Sequence, residues 1–187
     1  DIDKHTVRVP KNPFNTRQLN RVRKLIADEH PLACWATCVV MMCYAGCRPS
    51  EFLAIQKADV KLHQRYFIVR DSKTEAGRNR TVPISRRTLP YFEQWMQMPG
   101  KTLITNAKVE QIRYDVFRRK FKAVMEASRC KHTPHECRHT CATWLDNAGA
   151  NELSIKKILG HAAKGVTQKV YTHKSIQQLR KAIDLLP

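Results

Sequence analysis

From Leu32 to Tyr44 the chain is apolar nearly all round, with no charged residue. A helix that is hydrophobic on every side has to be surrounded. The run, extended as Cys34 to Cys47, is too short to span a membrane. It is therefore expected to be the central helix of a globular domain, opened near Pro31 and stopped at Gly46, since glycine tolerates the left-handed C-cap. Pro49 then suits the first position of a new helix. Arg48 is caught between the stop and the start. As the residue before a proline it is pushed towards extended geometry. A tight corner of this kind can hold a guanidinium for a phosphate, and Glu51, three positions on, can brace it. A surface arginine capping the preceding helix is the plainer alternative.

The other elements arrange themselves around that helix. Thr16 is expected to cap a first helix running to about Asp28, with Leu19, Val22, Leu25 and Ile26 at helical spacing. Residues 58–62, 65–70 and 80–84 read as short strands, and Asp71 to Asn79 as a polar hairpin loop with Lys73 near its start. Helices are expected over Pro90–Met98, Val109–Ala127 and His135–Ala148, with a brief extended piece at Leu103–Thr105. A further helix starts at Asn151 or Ser154 and ends at Gly160, before His161. A short helix is expected to carry Tyr171, and a last one runs from Ser175 to Leu186. The fold class is thus mainly α with a small antiparallel β-sheet.

Charge narrows the partner. Among 187 residues, 34 basic and 16 acidic side chains give a net charge of +18, a field that attracts polyanions, nucleic acid first among them. Arg113, Arg118, Arg119, Lys120 and Lys122 crowd one helix as candidate DNA-backbone contacts, although a solvated helix face looks the same. Seven cysteines without a secretory signal point to reduced thiols and a cytoplasmic protein. Cys130, His132, His135, Cys137 and Cys141 cluster, but no pair has the spacing of a common zinc motif, and no metal site is expected.

Cleaving a phosphodiester with protein groups alone requires positive charge on the non-bridging oxygens, a nucleophile, and a proton for the leaving oxygen. Arg48 and Arg138 can supply the first. His135, Arg138 and His139, at i, i+3 and i+4, share one helix face. Lys73 on a hairpin can deliver a proton, His135 can act as acid or base, and His161 can donate to the phosphate. No carboxylate cluster of the kind that holds Mg²⁺ is visible in the sequence.

Arg48 with Glu51, Lys73 between two strands, His135-x-x-Arg138, Leu159-Gly160-His161 and Val170-Tyr171-Thr172-His173 occur in an order that resembles the tyrosine recombinases, or phage-type integrases. The wording around Tyr171 is similar to integrases of conjugative transposons. The ten-residue step from His161 to Tyr171 is slightly long for the family, as an extra residue near Gly165 would make it. The resemblance implies the recombinase catalytic-domain fold over residues 14–187. It also implies that Tyr171 is a nucleophile forming a 3′-phosphotyrosine, with no cofactor. It implies double-stranded DNA as partner, and a homotetramer on DNA built from monomers free in solution. Residues 1–13 then read as a linker from an upstream DNA-binding domain, and the start at Asp1 suggests a fragment of a longer protein. The C-terminal helix, residues 174–187, is expected either to dock on a neighbouring protomer or to pack in cis. Strand relaxation of the type IB topoisomerase kind, and a basic DNA-binding module without chemistry, are the competing functions. A bacterial, phage or mobile-element source is implied.

Overall fold

The computed structural model describes residues 12–161 and 175–187. Its hub is α2, Ala33–Ala45, in which Ala36 to Ala45 are all buried. Around it pack α1 (Thr16–Ala27), α4 (Leu89–Gln97), α5 (Tyr114–Ala127) and α6 (Pro134–Asn147). The polar groups inside are paired: Trp95 Nε1 donates to Thr37 Oγ1 at 2.9 Å, and that hydroxyl donates to the Cys34 carbonyl at 2.6 Å. Gly46 ends α2 in the left-handed region, φ 64°, and an added Cβ would lie 2.7 Å from Leu159 and 3.0 Å from Cys141. Glycine is therefore demanded there by both backbone and space.

Strands β1 (Val60–Lys61), β2 (Tyr66–Val69) and β3 (Arg80–Pro83) form an antiparallel meander, with Val60 opposite Phe67 and Phe67 opposite Val82. Phe67, Val69 and Val82 face the core, where Phe67 stacks on Phe92 of α4 at 5.6 Å. The first strand is shorter than its sequence suggests because Lys57–Asp59 is a 3₁₀ turn. Short α3 (Pro49–Leu53) leaves the Gly46 corner, and α7 (Glu152–Leu159) returns to it.

Two helix starts differ from expectation. Asn15, not Thr16, caps α1, through a reciprocal pair with Gln18. The fifth helix begins at Tyr114 rather than Val109, because Asn106 Oδ1 accepts from the Lys108 and Glu110 amides and Thr105 bridges Gln111, holding Ile112 before the helix.

The C-terminal helix α8 (Ile176–Ile183) packs its stripe in cis: Leu179, Ile183 and Leu186 lie in the common core. Asp184 accepts two bonds from Arg65, at 3.0 and 2.8 Å, and one from the Arg86 amide at 3.1 Å. The apolar stripe of this helix is covered by the chain's own core. Each such side chain contributes about 1.5–3 kcal/mol on burial. Among the described residues no helix is long and apolar enough to cross a membrane.

Candidate active site

The corner after α2 is where the charges collect. Arg48 is extended, φ −64° and ψ 148°, as the following proline requires. Its amide donates to Glu51 Oε2 and its Nη1 to Glu51 Oε1, both at 2.8 Å, so the carboxylate fixes main chain and side chain together. The same Nη1 reaches Ser72 Oγ at 3.1 Å, and Ser72 donates to Glu51 Oε1 at 2.6 Å. Arg80, from β3, closes the network with a 2.7 Å bond from Nη2 to Glu51 Oε2.

Burial by itself would raise the carboxyl pKa of Glu51. The bonds from Arg80 and Ser72, the Arg80 charge and the Arg48 amide outweigh it and bring the value down to about 2. Glu51 is therefore an anion at neutral pH. Arg80 is pulled down by burial, but Cys47 and the Glu51 carboxylate turn the net direction upward.

Arg138 lies in the middle of α6 and is 8% exposed. Its Nη1 donates to the Gly46 carbonyl at 2.8 Å, while its buried Nη2 has no partner among the described residues. Burial first, then the neighbouring charge of Arg48, lower its pKa to about 10. It stays charged at neutral pH, in a place where the charge is poorly compensated. A buried donor without an acceptor is costly, and an anion bridging Arg48 and Arg138 would relieve it.

Lys73 is exposed on the loop that joins β2 to β3. His161 follows Gly160, the left-handed cap of α7, and its amide donates to the Lys156 carbonyl at 2.9 Å. These two segments touch: a Cβ on Gly160 would stand 2.9 Å from Gly77 Cα, and Thr74 Oγ1 donates to the Gly160 carbonyl at 3.4 Å. His135 sits in the first turn of α6, one turn before Arg138, and is exposed. The residue expected to be the nucleophile, Tyr171, lies outside the described residues, as do the helix expected to carry it and most of the linker over residues 1–13.

The basic helix divides by surroundings. Arg118, Arg119 and Lys122 of α5 line a groove of about 600 Å³ with His135 and Thr133. Lys120 instead lies over the Trp35 ring at 5.8 Å, and Arg113 is held by Asp115 at 3.1 Å. The cysteines that crowd together in the sequence go separate ways. Cys137 and Cys141 are buried in the core, and Cys130 donates to the Gln18 carbonyl at 3.6 Å. Among the described residues no group of three His, Cys, Asp or Glu side chains is placed to hold a metal ion.

Sequence reasoning missed Arg80 and Ser72. A signal for Arg80 existed: it alternates with Val82 and Ile84, so a strand that buries those two turns the arginine inward as well.

Similarity to known proteins identifies the family and the fold. The model of the phage integrase family matches residues 14–178. Tyrosine recombinase XerA of Thermococcus onnurineus is 28% identical over 94% of the chain and 64% of its own length. Tyrosine recombinase XerC of Pelobacter propionicus is 31% identical over 75% of the chain and 47% of its own length. The chain thus spans about half to two thirds of these relatives. Among solved structures, the Tn1549 transposon integrase in complex with circular intermediate DNA superposes with a TM-score of 0.73 at 20% identity, over 94% of this chain and 67% of that one. The integrase of mycobacterium phage Brujita gives 0.73 at 18% identity, over 96% and 60%. These two establish the fold.

Proposed function

Since the chain belongs to the phage integrase family, we propose that it carries out site-specific DNA recombination, integrating or excising a mobile element through a 3′-phosphotyrosine intermediate. The observation that carries this reading is the half-satisfied Arg138, buried beside a braced Arg48 with one guanidinium nitrogen unpaired among the described residues. Two guanidinium groups so placed fit the two non-bridging oxygens of one phosphodiester.

The steps then follow. The scissile phosphate binds between Arg48 and Arg138, which stabilise the charge that grows on its oxygens. The Tyr171 oxygen attacks phosphorus; a free phenol ionises only near pH ~10, and positive charge close by favours the ionised form. The bond from phosphorus to the 5′ oxygen breaks, and Lys73 gives that oxygen its proton. His135 and His161 hydrogen-bond the phosphate and manage the phenol proton. A 5′-hydroxyl from a second strand reverses the step and releases Tyr171. The bond energy is stored in the phosphotyrosine, so the cycle needs no ATP or added cofactor. The duplex runs along the groove of Arg118, Arg119 and Lys122, and its affinity falls steeply with salt. Strand exchange between two duplexes calls for four protomers, which are monomers when free.

The test is covalent trapping. The protein in its natural full length is given nicked duplexes carrying its element's ends, with EDTA present, and denatured in SDS. A protein–DNA adduct that vanishes in Tyr171→Phe is the expected result. Tight binding without any adduct would favour a DNA-binding module without chemistry.

A further inference from the structure

Arg80 is buried at 6% exposure, yet each of its three guanidinium nitrogens has a partner. Nη2 holds Glu51, the brace of Arg48, at 2.7 Å. Nη1 donates to the Gly77 carbonyl at 2.8 Å, inside the loop that carries Lys73. Nε donates to the Ile158 carbonyl at 3.1 Å, in the last turn of α7 just before Gly160 and His161. Nη2 also lies 3.8 Å from Cys47 Sγ, beside the corner itself. One side chain therefore ties together the three segments that present Arg48, Lys73 and His161. A planar fork can do this and an ammonium cannot, because the bonds leave in fixed, divergent directions.

We propose that Arg80 is a positioning residue that sets the Lys73 loop and the His161 end of α7 against the Arg48 corner, so that the general acid stands at the leaving oxygen. This rests on the reading of the reaction given above. The Gly160–Gly77 approach supports it, because that contact is too close for any side chain and keys α7 to the same loop. A displacement of about 1 Å at such a joint is enough to slow a reaction roughly a hundredfold.

Arg80→Lys is the discriminating variant. The ammonium keeps the charge beside Glu51 but cannot reach both carbonyls as well. Adduct formation is measured with the full-length protein on two substrates: the ordinary phosphodiester, and one with sulfur in place of the bridging 5′ oxygen. On the ordinary substrate the leaving oxygen must take a proton from Lys73. On the sulfur substrate the phosphorus–sulfur bond breaks to give a thiolate that leaves without one, thiol pKa values lying near 8.5. Arg80→Lys should cost about tenfold to a hundredfold on the oxygen substrate and recover to within about threefold of the parent on the sulfur one. Gly160→Ala, which disturbs the same joint and no charge, should show the same recovery. Melting curves check that both variants are folded.

Equal losses on both substrates, or no loss on either, would overturn the positioning role. A parent protein silent on both would overturn the proposed reaction itself, and this inference with it.

Discussion

From Ala36 to Ala45 every residue of α2 is buried and none is charged, and its one polar core side chain is fully paired with Trp95 and Cys34. The corner that follows, Gly46 to Glu51, is almost as enclosed, but gathers Arg48, Glu51, Arg80 and Arg138. The helix gains stability from every contact it makes. The corner holds three guanidinium groups against one carboxylate and leaves Arg138 Nη2 without an acceptor among the described residues. The first region is fully paired, whereas the second keeps an unpaired donor among the described residues, where the proposed function places the phosphate. Stability and function should separate along this line.

The widest separation comes from one substitution in each region. Met42→Ala opens a cavity in the hub, where Met42 is wholly buried, and should cost about 2–5 kcal/mol of unfolding free energy. Arg138→Met removes a poorly compensated buried charge and leaves the Gly46 carbonyl unpaired, two changes that oppose each other. Its melting temperature should stay close to that of the parent while adduct formation falls by roughly a thousandfold or more. Denaturant curves and the trapping assay, run on the same samples, read both. An Arg138→Met protein as destabilised as Met42→Ala would mean that the arginine is part of the core and not held for a ligand.

The two regions also differ in how legible they were. The hub could be read from composition alone, since thirteen consecutive residues without a charge leave few places for a helix to go. Arg48, Glu51, His135 and Arg138 could be read because local punctuation fixes them: Gly46 and Pro49 on one side, Pro134 on the other. Arg80 escaped because two of its partners, Glu51 and Ile158, lie 29 and 78 positions away, and a lone arginine opening a strand looks like surface. Val109 misled for the opposite reason. It fits a helical period, but Asn106 organises a competing turn in which Val109 takes φ 66°. Short-range rules found what short-range geometry holds, and the long-range ties appeared only with the fold.

Acid should strip the corner before it touches the hub. Glu51 has a pKa lowered from an ordinary 4.5 to about 2, so its contribution is complete above the higher value and is lost as pH falls through the lower. That difference corresponds to on the order of 3 kcal/mol. In urea unfolding between pH 5 and pH 2, the parent should lose this increment and Glu51→Gln, already less stable at neutral pH, should not. Parallel profiles for the two proteins would place the acid-sensitive group elsewhere.

The smallest effect is the most specific. If Arg138 Nη2 awaits an anion, inorganic phosphate should stabilise the folded protein without DNA. At ten times its dissociation constant a single bound anion adds about 1.4 kcal/mol. For a domain of this size that corresponds to a rise of about 3–6 °C in melting temperature. Chloride at matched ionic strength is the control for screening of the +18 net charge, which any salt would relieve. The rise specific to phosphate should vanish in Arg138→Met and persist in Arg119→Met, since Arg119 lines the α5 groove. The reverse pattern would assign the anion to the basic helix. The corner would then hold its buried charges for the fold alone, and the contrast with α2 would be one of degree.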